Sequence, residues 1–201
     1  TMLQYPSIIG SKDAPLGKKC IAFNKYDGSN LRWEWNHKRG WVKYGTRRQL
    51  FDANTPLYNQ AIEPFLDLVG PAVVDATKHF CGRKPERITA FTEFFGKSSF
   101  AGSHEFDEPK ELRLFDVFVF KQGFIPPRPF ANLFSHQDWG AEVIYEGNLN
   151  TQFIRDVREG KYPVYEGVIC KGEDFMVKIK TIEYLDRLKN GFGDKWEEFA
   201  E

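Results

Sequence analysis

Hydrophobic positions along this chain recur first with the period of a strand. The stretch "LRWEW" at 31–35 sets Leu31, Trp33 and Trp35 against Arg32 and Glu34, the alternation of a half-buried strand. Residues 19–24 are strand-like too; "NHKRG" then turns the chain, and "WVKYG" returns it as the second arm of a hairpin. Between Pro56 and Phe80 the period lengthens, with Ile62, Phe65, Leu66 and Val69 at helical spacing, and Gly70-Pro71 predicts a break between two helices. Strands resume with "RITAFTEFFG" and "ELRLFDVFVFK", both rich in β-branched and aromatic residues. "TQFIRDVREGK" predicts a short helix ending at Gly160. "YPVYEGVICKG" and "DFMVKIKT" predict two further strands joined by a tight turn at Gly172-Glu173-Asp174, and the tail from Ile182 is expected to start helical and fray. Several strand pairs are joined too tightly to be parallel, so the expected class is α+β, with largely antiparallel sheets flanked by helices.

Turn signals are spread along the 201 residues, with no internal repeat and no low-complexity linker, which reads as a single domain over 1–201. Hydrophobic residues make up 41% and aromatic ones 16%, led by 19 Phe, enough for a sizeable core. No apolar run approaches the roughly 20 residues of a membrane span. The start "TMLQYPSIIG" lacks the layout of a signal peptide. A soluble, cytoplasmic protein with no membrane partner is therefore expected. Cys20, Cys81 and Cys170 are far apart and odd in number, which fits reduced thiols acting as small core residues. Lys plus Arg equals Asp plus Glu at 28 each, so any polyanion must be held by local clusters rather than by net charge.

Four stretches carry candidate chemistry. Alternation in "DFMVKIKT" puts Met176, Lys178 and Lys180 on one face and Phe175, Val177 and Ile179 on the other. Two ammonium groups side by side either guard a solvated edge or await a phosphate. In "YEGVICKG", Glu166 precedes a glycine that admits close approach to the backbone, and Lys171 follows. Glu93 sits among Phe91, Phe94 and Phe95, where a carboxylate buried without a partner would be costly. In "FNKYDGSN", Lys25 stands where an extended segment must bend, two residues before Asp27. Singly, each has an ordinary reading as a polar surface residue.

In order along the chain these are "KYDG" at 25–28, "FTEFFG" at 91–96, "YEGVICKG" at 165–172 and "MVKIKT" at 176–181. That order resembles the covalent nucleotidyltransferases, ATP-dependent ligases and capping enzymes, whose signatures are Lys-x-Asp-Gly, an acidic strand, Glu-Gly-x-x-x-Lys and Lys-x-Lys. The resemblance covers roughly Cys20 to Thr181 and looks nearest to the RNA ligases typified by the second RNA ligase of T-even phage. "VKYGTRRQLF" sits where that family carries its arginine segment, and "RLFDVFVF" looks like its aromatic-Asp strand. The short gap between the last two motifs suggests a compact version.

The resemblance implies a nucleotidyltransferase (ATP-grasp-like) adenylation domain and an ATP-dependent RNA ligase using ATP with Mg²⁺ or Mn²⁺. Lys25 would attack the α-phosphate to form a lysyl-AMP, the AMP would pass to a 5′-phosphate RNA end, and a 3′-hydroxyl would then seal the strand. Free lysine titrates at about 10.4, so the nucleophile must be made neutral, with Lys178, Lys180 and the metal as the crowding cations. Asp27 would act the other way unless engaged elsewhere. Lys178 and Lys180 would neutralise charge on the α-phosphate. Glu166 would hold the metal, Glu93 the ribose hydroxyls, Phe115 the adenine, and Arg47 or Arg48 a phosphate, with Gly28 and Lys171 also lining the nucleotide. Too few residues follow Lys180 for an oligonucleotide-binding domain, so that domain is expected to be absent and a separate nucleic-acid-binding partner is admitted; Lys38-Arg39, Arg47-Arg48 and Arg83-Lys84 could hold an end. Two other readings stay open: a DNA ligase or capping-type core needing a partner domain, and a nonenzymatic nucleotide- or nucleic-acid-binding relic.

Overall fold

The computed structural model describes residues 2–200. Its strands are β1 (Ile9–Gly10), β2 (Lys19–Lys25), β3 (Ser29–Asn36), β4 (Gly40–Gly45), β5 (Leu50–Phe51), β6 (Arg87–Gly96), β7 (Lys110–Val119), β8 (Gly123–Phe124), β9 (Val143–Asn148), β10 (Gly167–Lys171) and β11 (Met176–Lys180). The α-helices are α1 (Ile62–Pro64), α2 (Gly70–Cys81), α3 (Pro127–Phe134), α4 (Thr151–Arg158) and α5 (Ile182–Phe192). The class is α+β, as expected. Contacts divide the elements between two compact units, residues 2–5 with 28–140 and residues 6–27 with 141–200. The chain passes between the units at Tyr5-Pro6, inside "KYDG" at Asp27-Gly28 and at Gly140-Ala141, and none of these points lies in a long Pro/Gly/Ser-rich linker.

The unit formed by 2–5 and 28–140 is built on a six-stranded antiparallel sheet in the order β5-β4-β3-β6-β7-β8. Trp33 stacks on Phe65 with ring centroids 4.0 Å apart and donates its indole N–H to Thr92 Oγ1 at 2.9 Å, so its one polar atom is satisfied in the core. The break expected at Gly70-Pro71 does not occur. A π-helical segment, Phe65–Val69, joins α1 to α2 without interruption. Pro71 lacks an N–H and its ring crowds the carbonyl four residues back; the wider π turn absorbs that conflict while Phe65 and Val69 stay buried. Arg32, expected on a polar face, is buried as well. Its guanidinium donates to the carbonyls of Thr46 (2.7 Å), Met2 (3.1 Å) and Leu3 (3.3 Å), because β3 is a central strand and the segment bearing buried Met2 and Tyr5 lies over that side. The sequence pattern also gave no sign of α3. The prolines of "IPPRPF" read as punctuation, yet Pro127 sits in the first turn, where a missing N–H costs nothing.

The unit formed by 6–27 and 141–200 carries a five-stranded sheet, β1-β11-β10-β2-β9, antiparallel apart from the β1–β11 pair. Cys20, Ala22, Val168, Cys170, Val177 and Ile179 project from one face onto Phe153, Ile154 and Val157 of α4, forming its core. Two of the three cysteines are thus core residues as expected, while Cys81 is half-buried and donates to Gln122 Oε1. Asn150 caps α4 by accepting the Phe153 N–H at 2.8 Å, and Gly160, at φ +76°, follows its end. The strand expected from Tyr162 begins only at Gly167, since Pro163 cannot donate to a ladder. β9 and β1, both at sheet edges, carried too little pattern to be read. Among the described residues no helix is long and apolar enough to cross a membrane.

Candidate active site

Strand register builds the lysine site. In the five-stranded sheet, Gly167 of β10 pairs with Lys25 of β2 on one side and Lys180 of β11 on the other. Residues opposite one another across adjacent strands project from the same face, so two lysines flank a position without a side chain. A β carbon at 167 would run into the Ile179 carbonyl oxygen and come within 2.8 Å of the Lys180 Cα, so only glycine fits. Two residues along, Lys178 pairs with Ile169, which in turn pairs with Phe23. The fourth lysine of this face, Lys171, is buried with its ammonium 5.3 Å from the Phe23 ring centroid.

Glu166, just before the strand, supplies the countercharge. Its Oε2 lies 2.6 Å from Lys25 Nζ and 3.6 Å from Lys180 Nζ, with the three side chains 3%, 18% and 6% exposed respectively. Glu166 Oε2 and Lys180 Nζ meet these ionic neighbours without a well-angled hydrogen bond to the protein. Burial, reinforced by repulsion from Lys25 and Lys178, brings the Lys180 pKa from 10.5 down to about 8 against the pull of Glu166 and Asp27. Around Lys25 the structure sets both signs of charge: the Glu166 carboxylate meets its amine, and Lys180, expected as a crowding cation, is near enough for the two amines to repel one another. Asp27, by contrast, is engaged as required. The Tyr184 hydroxyl donates to it, and burial together with the charges of Glu166 and Asp27 holds that phenol well above its ordinary range.

Tyr184 was not read from the sequence, although its position has a signal. Thr181, directly after "KIK", caps α5 by accepting the Tyr184 N–H at 3.1 Å, donates its hydroxyl to the Tyr165 carbonyl at 2.9 Å, and donates its backbone N–H to the Glu166 carbonyl at 2.9 Å. This cap ties the start of α5 to the segment bearing Glu166 and places the Tyr184 ring centroid 5.5 Å from Lys180 Nζ.

The remaining candidates lie in the other unit. Gly28 donates its N–H to Glu93 Oε2 at 3.0 Å, and a β carbon there would strike the Phe94 carbonyl oxygen. The close approach that demands this glycine is therefore to β6. Phe115 is half-buried at an irregularity in the β6–β7 register, its ring edge-on to Tyr5 with centroids 5.0 Å apart. Arg47 and Arg48 are exposed and together line a cleft of about 590 Å³ that also takes in Gly28, Ser29 and Tyr58. Arg32 holds the Thr46 carbonyl and so anchors the turn that carries both arginines. No group of three or more His, Cys, Asp or Glu that could hold a metal occurs among the described residues. A Mg²⁺-type ion, which draws most of its oxygens from water and phosphate, needs only one or two carboxylates, and buried Glu166 fits that requirement.

The architecture is one found in a nucleic-acid-joining enzyme. Structures of the RNA ligase from Naegleria gruberi superpose on this chain: one with PPi at a TM-score of 0.65 and 15% identity, covering 94% of this chain and 58% of that one. A variant with AMP and Mn gives 0.64 and 14%, covering 92% and 58%, and a variant with ATP and Mn gives 0.65 and 13%, again covering 92% and 58%. At these identities the likeness is one of fold, and this chain spans less than two thirds of the length of those structures. No protein-family model matches the chain, and no curated protein matches its sequence.

Proposed function

We propose that this chain is the nucleotidyltransferase part of an ATP-dependent RNA ligase. In the proposed reaction Lys25 loses a proton to solvent and its neutral Nζ attacks the α-phosphorus of ATP; a P–N bond forms, the bond from the α-phosphorus to the bridging oxygen breaks, pyrophosphate leaves with that oxygen, and the nitrogen gives up a second proton to water. The AMP then passes to the 5′-phosphate of an RNA end, and a 3′-hydroxyl displaces it to close the strand. The observation that carries this reading is the row Lys25, Gly167, Lys180 with Glu166 beside it. A purely structural sheet face gives no reason to bury a cation in this way.

Each residue has a physical task. Lys180, buried and lacking a hydrogen bond, has donors to offer a phosphoryl oxygen, and Lys178 adds a second positive charge on the same face. Tyr184 keeps the Asp27 carboxylate occupied. Glu166 is the residue that would hold a Mg²⁺ or Mn²⁺ ion, which when bound supplies positive charge beside the phosphates and draws on the carboxylate that pairs with Lys25. Glu93, Phe115, Lys171 and the Arg47-Arg48 pair keep the ribose, adenine and phosphate assignments that the resemblance gives them.

The test is strand sealing by the purified protein. Nicked RNA duplex with ATP should be joined, with GTP and nicked DNA as the comparison arms. Joining only of DNA, or nucleotidyl transfer only from GTP, would favour the DNA-ligase or capping-type core over this reading.

A further inference from the structure

A chain of hydrogen bonds runs beneath the arginine cleft of the 28–140 unit. The Gly96 N–H donates to Ser99 Oγ at 2.8 Å; Ser99 Oγ lies 2.7 Å from His104 Nδ1, and His104 Nε2 lies 2.7 Å from Ser29 Oγ. Ser99 is buried, whereas Ser29 opens into the cleft with Arg47 and Arg48. A backbone N–H can only donate, so it occupies a lone pair of Ser99, whose hydroxyl hydrogen is then directed at His104 Nδ1. The neutral imidazole accepts there and donates from Nε2, which occupies a lone pair of Ser29 and turns the Ser29 hydrogen away from the ring. Hydrogen bonds in such a series polarise one another in the same sense.

We propose that His104 is a positioning residue that sets the Ser29 hydroxyl as a donor to a phosphate oxygen held by Arg47 and Arg48. Two exposed guanidinium groups beside a directed hydroxyl suit an anion with several acceptor oxygens, a phosphate monoester or the phosphate tail of a nucleotide. The groups facing His104 are consistent with a neutral ring. Burial and Lys110 lower its pKa, Glu108 opposes them weakly, and the Phe94 ring lies 5.9 Å away. Leu, which can neither accept nor donate, would cut the relay at 104, whereas Gln, whose amide does both, could carry it.

This inference rests on the reading of the chain as a ligase for its phosphate sources, but its test does not depend on sealing. Binding of a short RNA duplex ending in a 5′-phosphate is compared with the same duplex ending in a 5′-hydroxyl, by fluorescence anisotropy, for the wild type and for Ser29→Ala, His104→Leu and His104→Gln. A parallel arm titrates pyrophosphate and ATP by calorimetry. Loss of one charge-assisted hydrogen bond predicts about tenfold weaker binding for Ser29→Ala and His104→Leu, with His104→Gln close to wild type; thermal melting stays near wild type for Ser29→Ala and His104→Gln and falls for His104→Leu, which leaves the buried Ser99 hydroxyl without its acceptor. A loss confined to the 5′-phosphate duplex assigns the site to the strand end; a loss confined to pyrophosphate and ATP assigns it to the nucleotide tail. Equal affinity of all variants for every phosphate ligand, or failure of His104→Gln to restore binding while its melting is unchanged, overturns the proposal. Absence of strand joining by the wild type would count against the ligase reading alone.

Discussion

Replacing Lys180 by Met should stabilise the folded protein at neutral pH even though it removes a residue of the proposed machinery. The ammonium is housed in a side chain only 6% exposed, and its pKa falls from 10.5 to about 8 through burial and the repulsion of Lys25 and Lys178. A displacement of that size corresponds to roughly 3 kcal/mol of disfavour for the charged form. The unfolded chain keeps this proton up to about pH 10.5 and the folded one only up to about 8. Between those limits the unfolded state binds more protons, so wild-type stability rises with pH; below 8 the cost is present in full, and above 10.5 it is gone. Met is of similar length and bears no charge to desolvate, while Glu166 keeps its 2.6 Å partner in Lys25. The variant should therefore be more stable by about 2–3 kcal/mol at pH 7, a rise of several degrees in Tm, with the gain shrinking from pH 8 to 10.5. Urea titration at pH 7 and pH 10, without nucleotide or metal, measures this. A variant less stable than wild type at pH 7, or a difference that does not change with pH, would refute the reasoning.

Other substitutions probe the same sheet. Tyr184→Phe keeps the ring beside Lys180 and removes the hydroxyl that Asp27 accepts; adenylylation with ATP should slow by about tenfold while the melting temperature stays near wild type, as a single-turnover assay beside a thermal melt would show. Gly167→Ala forces a methyl group onto the Ile179 carbonyl and should cost several kcal/mol or prevent folding, read by soluble yield and denaturant midpoint. Arg32→Ala should loosen the turn bearing Arg47 and Arg48, leaving three carbonyls without their donor; faster amide exchange at residues 46–49 would register it.

The strands that carry the motifs were legible because their alternation is strong and their turns are short, as in the β10–β11 hairpin, whose Lys171 and Met176 pair across the turn. What escaped the sequence depends on partners distant along the chain. Nothing local in "LRWEW" shows that Arg32 meets carbonyls at 2, 3 and 46, and nothing in "VYEGV" shows that Glu166 reaches Lys25 across the strand pairing. The π segment at 65–69 arises from a conflict between Pro71 and a run whose burial favours continuing the helix. Residue types at the lysine site could be read, but not the pairing of Glu166 with Lys25. Cations were expected to surround Lys25, and a carboxylate stands beside it as well, 2.6 Å from its nitrogen, while Lys180 is near enough to repel it. Tyr184 and His104 stood outside the recognised motifs, and only their hydrogen bonds single them out.

The most direct test incubates the protein with ATP and a divalent metal and maps any adduct by intact mass and peptide sequencing. One adenylyl group on Lys25, absent from Lys25→Ala and accompanied by one pyrophosphate released, is the predicted result. An adduct on another lysine, or none despite a folded protein and bound ATP, would contradict the account.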